Sequence, residues 1–107
     1  MSRYNLVVRS LPEDGLVALQ QEIAAEKVSS LARVAERLEA ALAQLPSLAA
    51  LVLRAGPDER PARVAAYNAM RARAAEAFYF MTVQREAMHL PNHDELARHY
   101  RIPPPLR

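Results

Sequence analysis

With 107 residues, of which 51% are hydrophobic and 24% charged, the chain has the composition of one small folded domain rather than of a disordered segment. It contains no cysteine, which excludes a disulfide framework, a thiolate metal site and a cysteine nucleophile together. The net charge of +2 comes from dispersed residues, and no polybasic run predicts a nucleic-acid patch.

The first residues predict an extended N-terminal arm over residues 1–10. Tyr4 and the apolar run Leu6–Val8 alternate loosely with polar residues, and a lone strand would have no partner within the chain. That run is too short for the core of a signal peptide, and no run approaches the ~18 apolar residues of a membrane span. We therefore expect a cytoplasmic protein that does not contact membranes.

The next segment predicts the start of a helical domain over residues 11–101. Ser10 and Glu13 have the spacing of a capping box, and Pro12 is tolerated in a first helical turn. From residue 16 to residue 45, large apolar residues recur at helical spacing while charged residues occupy the opposite face. This periodicity predicts a long amphipathic helix.

Proline positions divide the rest of this domain into further helices. Pro46 lacks a backbone donor, so we expect the first helix to end or kink at Leu45 and a short helix to cover Leu48–Arg54. After Gly56, Asp58 is the predicted start of a second long helix, which Pro91 ends.

The C-terminal part predicts one more short helix and an extended tail. Asn92 is placed to cap a helix over His93–Tyr100. The prolines that follow Ile102 cannot be helical, so residues 102–107 form the predicted proline-rich tail.

The two long helices predict an antiparallel hairpin that needs a partner. A two-helix hairpin leaves half of each apolar stripe uncovered, and the segment Phe78–Val83 is apolar on both sides of its helix. Pairing two hairpins into a four-helix bundle would cover both, so we expect an all-α homodimer. The alternative is a monomer in which the short helix after Pro46 folds back over the hairpin.

Several segments resemble a family of short bacterial proteins known only as a domain of unknown function. They are Leu19–Leu31, Arg37–Leu42, Val83–Ala87 and Tyr100–Pro103, and the likeness covers most of residues 15–105. The resemblance implies a small helical protein, often found alone, with no assigned activity. It carries no functional residue over to this chain.

Lys27 is the only lysine among 14 basic residues and falls on the apolar face of the first helix. A desolvated amine there would have a lowered pKa or would anchor an anionic ligand. The favoured interpretation is a buried polar or interface residue whose stem lies along the core while its ammonium group reaches water or a carboxylate.

Glu86 and His89 form a Glu-x-x-His pair, which in ferritin-like bundles contributes to a two-metal site. One such pair is a weak signal, so we assign no metal site, no cofactor and no catalytic residue. His93 and His99 have no serine or glycine-rich loop near them in sequence that would predict a catalytic triad.

The segment His93–Pro103 resembles the first helix and turn of a helix-turn-helix motif, but no recognition helix follows it. Five arginines could also line a phosphate-contacting face of a dimer: Arg54, Arg60, Arg63, Arg71 and Arg73.

The sequence favours a non-enzymatic homodimeric interaction module whose arm and tail are available to an unidentified protein partner. The alternatives are a nucleic-acid-associated regulator that uses dispersed arginines and, third, a small metal-binding bundle.

Overall fold

A computed structural model describes residues 13–90 and 92–107, so the predicted N-terminal arm lies outside the described residues. The described residues form three helices, α1 (Glu13–Arg54), α2 (Arg60–Ala87) and α3 (His93–His99), and include no strand. The predicted all-α fold with a long helical hairpin is confirmed.

Two compact units divide the chain between Ser30 and Leu31. In the first unit, the described residues are the stretch of α1 from Glu13 to Ser30. This stretch has no buried residue, and Leu16, Leu19 and Ile23 are half-buried. The second unit comprises the rest of α1, α2, α3 and the tail.

The core of the second unit lies between the antiparallel helices α1 and α2. One cluster joins Val34 and Leu38 of α1 to Ala74 and Met81 of α2, and Leu38 and Ala74 have no exposed surface. A second cluster joins Leu45 and Val52 to Tyr67.

Pro46 lies inside α1, which continues to Arg54, so the predicted helix end at Leu45 and separate helix over Leu48–Arg54 are wrong. The missing N–H costs one helical hydrogen bond. However, Leu45 before the proline and Val52 after it are both buried in the cluster around Tyr67. Packing on both sides of Pro46 therefore holds the segment in one helix.

The predicted start of α2 at Asp58 is two residues early. Arg60 is the first residue of α2, and the N–H groups of Glu59 and Arg60 both donate to the Gly56 carbonyl oxygen, at 3.1 and 2.9 Å. Asp58 therefore lies in the turn that precedes the helix. Pro61 occupies the first turn, where a missing N–H costs nothing.

Helix α3 packs against the hairpin near its Met81 end. Leu96 and Tyr100 are half-buried against the cluster that contains Met81. The Tyr100 hydroxyl donates a hydrogen bond of 2.8 Å to Oε1 of Glu39 on α1. The predicted cap residue Asn92 makes no side-chain cap hydrogen bond, so this packing, rather than a cap, holds the short helix.

The tail is not helical, as the prolines predicted, and it lies along α2 instead of being a free arm. Nδ2 of Asn68 donates to the Leu106 carbonyl oxygen, and Oδ1 of Asn68 accepts from the Leu106 N–H, both at 2.8 Å. Nε of Arg71 donates to the Pro103 carbonyl oxygen at 2.9 Å. The Leu106 side chain packs against the cluster around Tyr67. The tail is therefore part of the folded unit.

Candidate functional site

The hairpin of the second unit has one covered side and one open side. Helix α3 and the tail cover the first. On the open side, α1 and α2 border a groove of about 320 Å³. The residues that line this groove include Arg37, Ala40, Gln44, Met70, Arg73 and Phe80. Neither α3 nor the tail contributes a residue to the groove.

The groove contains charges of both signs. Arg37 and Arg73 line it together with Glu76. Across residues 13–90 and 92–107, no ion pair involves any of these three side chains. The surface therefore offers both signs of charge to whatever covers it.

Large apolar side chains of α2 extend beyond the groove to solvent. Tyr79 is 63% exposed, Phe80 42% and Val83 43%, whereas their neighbour Met81 is buried. The rings of Tyr79 and Phe80 have centroids 5.9 Å apart. The sequence indicated a segment that is apolar on both sides, and among the described residues Met81 is buried while Tyr79, Phe80 and Val83 stay exposed.

Lys27 belongs to the first unit and is exposed. This chain by itself therefore does not bury the lysine. Its role at an interface with another molecule remains a prediction.

The structure does not bring Glu86 and His89 together as a helical pair, because α2 ends at Ala87. The Leu90 N–H donates to the Arg85 carbonyl oxygen at 2.8 Å, and the His89 N–H donates to that of Glu86 at 3.0 Å. These two bonds form a Schellman motif, in which His89 occupies the left-handed position at a φ of 59°.

Glu86 contacts a different histidine. Its Oε1 lies 3.1 Å from Nε2 of His93, which links the end of α2 to the start of α3. Among the described residues, no group of three His, Cys, Asp or Glu side chains could hold a metal ion. The Glu86–His93 contact connects α2 to α3.

Three of the five arginines proposed as a phosphate-contacting face donate hydrogen bonds to backbone carbonyl oxygens of this chain. Arg60 donates to the Arg107 carbonyl oxygen at 3.0 Å, and Arg63 donates to that of Leu51 at 3.2 Å. Arg71 holds the tail. Each of these hydrogen bonds uses one N–H donor of a guanidinium group, so the phosphate-contacting face stays a prediction.

The segment after α3 bears on the resemblance to a helix-turn-helix motif. Residues 101–107 form no helix, so they do not supply the recognition helix of a helix-turn-helix motif. Sequence reasoning missed the role of Asn68 and Arg71 as anchors of the tail. Their partners are backbone atoms more than 30 residues away, and no local pattern signals such contacts.

In the comparisons with known proteins, no family model matches this chain, and no curated protein and no solved structure matches it either. The resemblance to a family of uncharacterised bacterial proteins therefore stays a prediction. None of the helices in the described part of the chain is long and apolar enough to cross a membrane.

Proposed function

We propose that this chain is a non-enzymatic interaction and assembly module that works as a homodimer. Two hairpins pack through their open sides and complete a four-helix bundle. The observation that carries this proposal is the exposure of Phe80 and Val83 beside the groove. A contiguous apolar surface rimmed by polar groups is typical of an interaction site.

The charges in the groove favour a second copy as the partner. A two-fold interface uses the same patch on both subunits, so the patch must be complementary to itself. Arg37, Arg73 and Glu76 supply both signs within one surface. A nucleic acid would instead require a surface of predominantly positive charge.

A charge placed in the apolar part of the surface tests this proposal. We expect Phe80→Glu to convert the dimer into a helical monomer, because a carboxylate buried at an interface loses its hydration. Leu53→Glu is the matched control, since Leu53 is 88% exposed and does not line the groove. Light scattering after size-exclusion chromatography measures the mass, and circular dichroism measures the helicity.

Two outcomes would overturn the proposal. One is a monomeric wild-type chain at high micromolar concentration, and the other is a Phe80→Glu chain that remains a dimer.

The alternatives predict other results. A nucleic-acid regulator would retard DNA in a gel, and its affinity for DNA would fall steeply as the salt concentration rises. A metal-binding bundle would be stabilised against heat by iron, manganese or zinc.

A further inference from the structure

The outer face of α2 has a heptad pattern. Along this face, exposed positions are separated alternately by four and three residues. They are Ala62, Ala66, Ala69, Arg73, Glu76, Phe80, Val83 and Ala87. Apolar residues that repeat every 3.5 positions form the contact seam of two supercoiled helices. We name these eight positions the seam.

The side chains of the seam differ in size between its two halves. The first three positions are alanines, the two central ones are Arg73 and Glu76, the larger Phe80 and Val83 follow, and Ala87 is the last. The midpoint of the seam lies between residues 74 and 75. A two-fold axis at that midpoint would run one helix antiparallel to its copy.

An antiparallel pair about this axis matches small residues with large ones. It places Ala69 opposite Phe80 of the second copy and Ala66 opposite Val83. Interfaces reach the density of a protein interior when bulky side chains meet small ones across them. A parallel pair would instead set Phe80 against Phe80 and leave the alanines facing one another.

The charges select the same orientation. In the antiparallel pair, Arg73 of each copy lies opposite Glu76 of the other, so both central positions are neutralised. In a parallel pair, Arg73 would face Arg73 of the second copy, and Glu76 would face Glu76. Like charges opposite each other at an interface are costly, and such charges set register and orientation.

We propose that two copies pair antiparallel through the seam of α2, with Arg73 and Glu76 as the residues that determine orientation and partner. This inference rests on the proposed homodimer and adds its geometry. Ala40 of α1 lines the same groove as Arg73 and Phe80, so the neighbouring helix leaves room for the second copy.

Charge reversal tests the pairing of the two central residues. Arg73→Glu and Glu76→Arg each create two like-charge contacts across the axis, and we expect each to weaken the dimer by about tenfold or more. The double variant Arg73→Glu/Glu76→Arg restores opposite charges and dimerises like the wild type. Mixing the two single variants produces a heterodimer, because each contact then joins a glutamate to an arginine.

Spin labels test the orientation directly, since the chain has no native cysteine. Ala65 and Ala72 are exposed and flank the seam, so Ala65→Cys and Ala72→Cys accept labels without entering it. At 1.5 Å per residue, antiparallel pairing separates the two labels along the axis by about 28 Å at position 65 and about 8 Å at position 72. Parallel pairing predicts the same short separation at both positions.

The results separate this inference from the proposed function. A wild-type chain that stays monomeric overturns both. A dimer with equal label distances at the two positions, or one that neither single charge reversal weakens, leaves the homodimer standing and overturns the antiparallel seam.

Discussion

Replacing Pro46 by alanine tests whether packing holds α1 together against a local defect. Pro46 is exposed within α1, so little buried surface is lost with its ring. Alanine restores the N–H that can donate to the Leu42 carbonyl oxygen and removes the steric conflict, together worth about 3 kcal/mol in a helix interior. The unfolded chain regains freedom when proline is removed, which offsets about 0.4–1 kcal/mol.

We therefore expect Pro46→Ala to raise the free energy of unfolding by about 2 kcal/mol, or the midpoint temperature by roughly 8–16 °C. Urea unfolding followed by circular dichroism measures this change, at one fixed protein concentration because the proposed dimerisation would also add stability. Pro57→Ala is the matched control, since Pro57 is exposed but lies in the turn before α2. We expect the control to change the free energy by less than about 1 kcal/mol. An unchanged or lower stability of Pro46→Ala would refute the reasoning.

Three further substitutions test the contacts that close the second unit. His89 has a left-handed backbone conformation that glycine adopts more easily. We expect His89→Gly to raise the free energy of unfolding, measured by chemical denaturation, by about 0.5–1 kcal/mol. A lower free energy of unfolding would contradict the Schellman geometry. Asn68→Ala removes both hydrogen bonds to the tail. We therefore expect amide exchange at Leu106 to accelerate while the amides of α2 stay protected. Equal exchange at Leu106 in the wild type and the variant would show that Asn68 does not anchor the tail. The hydrogen bond to Glu39, burial and the charge of Glu39 raise the pKa of Tyr100 above 10.0. Its protonated form therefore stabilises the fold fully below pH 10.0, and this contribution is lost as the pH rises through the raised pKa. As the pH rises through this pKa, we expect Tyr100→Phe to lose less thermal stability than the wild type. Equal losses would contradict a stabilising role for the protonated Tyr100 hydroxyl.

The helices could be predicted from sequence because their signals are local. Apolar periodicity located both long helices, and the start of α3 at His93 agrees with the prediction. Pro46 is the instructive exception. The rule that proline ends a helix considers only the hydrogen bond that is lost. It does not include the burial of Leu45 and Val52, which lie seven positions apart and pack in one cluster around Tyr67. A rule based on neighbouring residues cannot predict a tertiary contact of this kind.

The candidate site was predictable in part. The double-sided apolar segment Phe78–Val83 signalled a helix with more apolar surface than one core covers, and the exposure of Phe80 agrees with that signal. The position of the tail was not predictable, because Asn68 binds backbone atoms rather than a recognisable side chain. Glu86 contacts His93 instead of His89 because a left-handed residue ends the helix first.

We propose that a second copy of the chain covers the open side of the hairpin. Sedimentation equilibrium of the wild-type chain across a range of concentrations tests it most directly. We predict a reversible association from a single chain of 11.9 kDa to a species of twice that mass. A mass of 11.9 kDa at every concentration, with the helices intact, would contradict the claim.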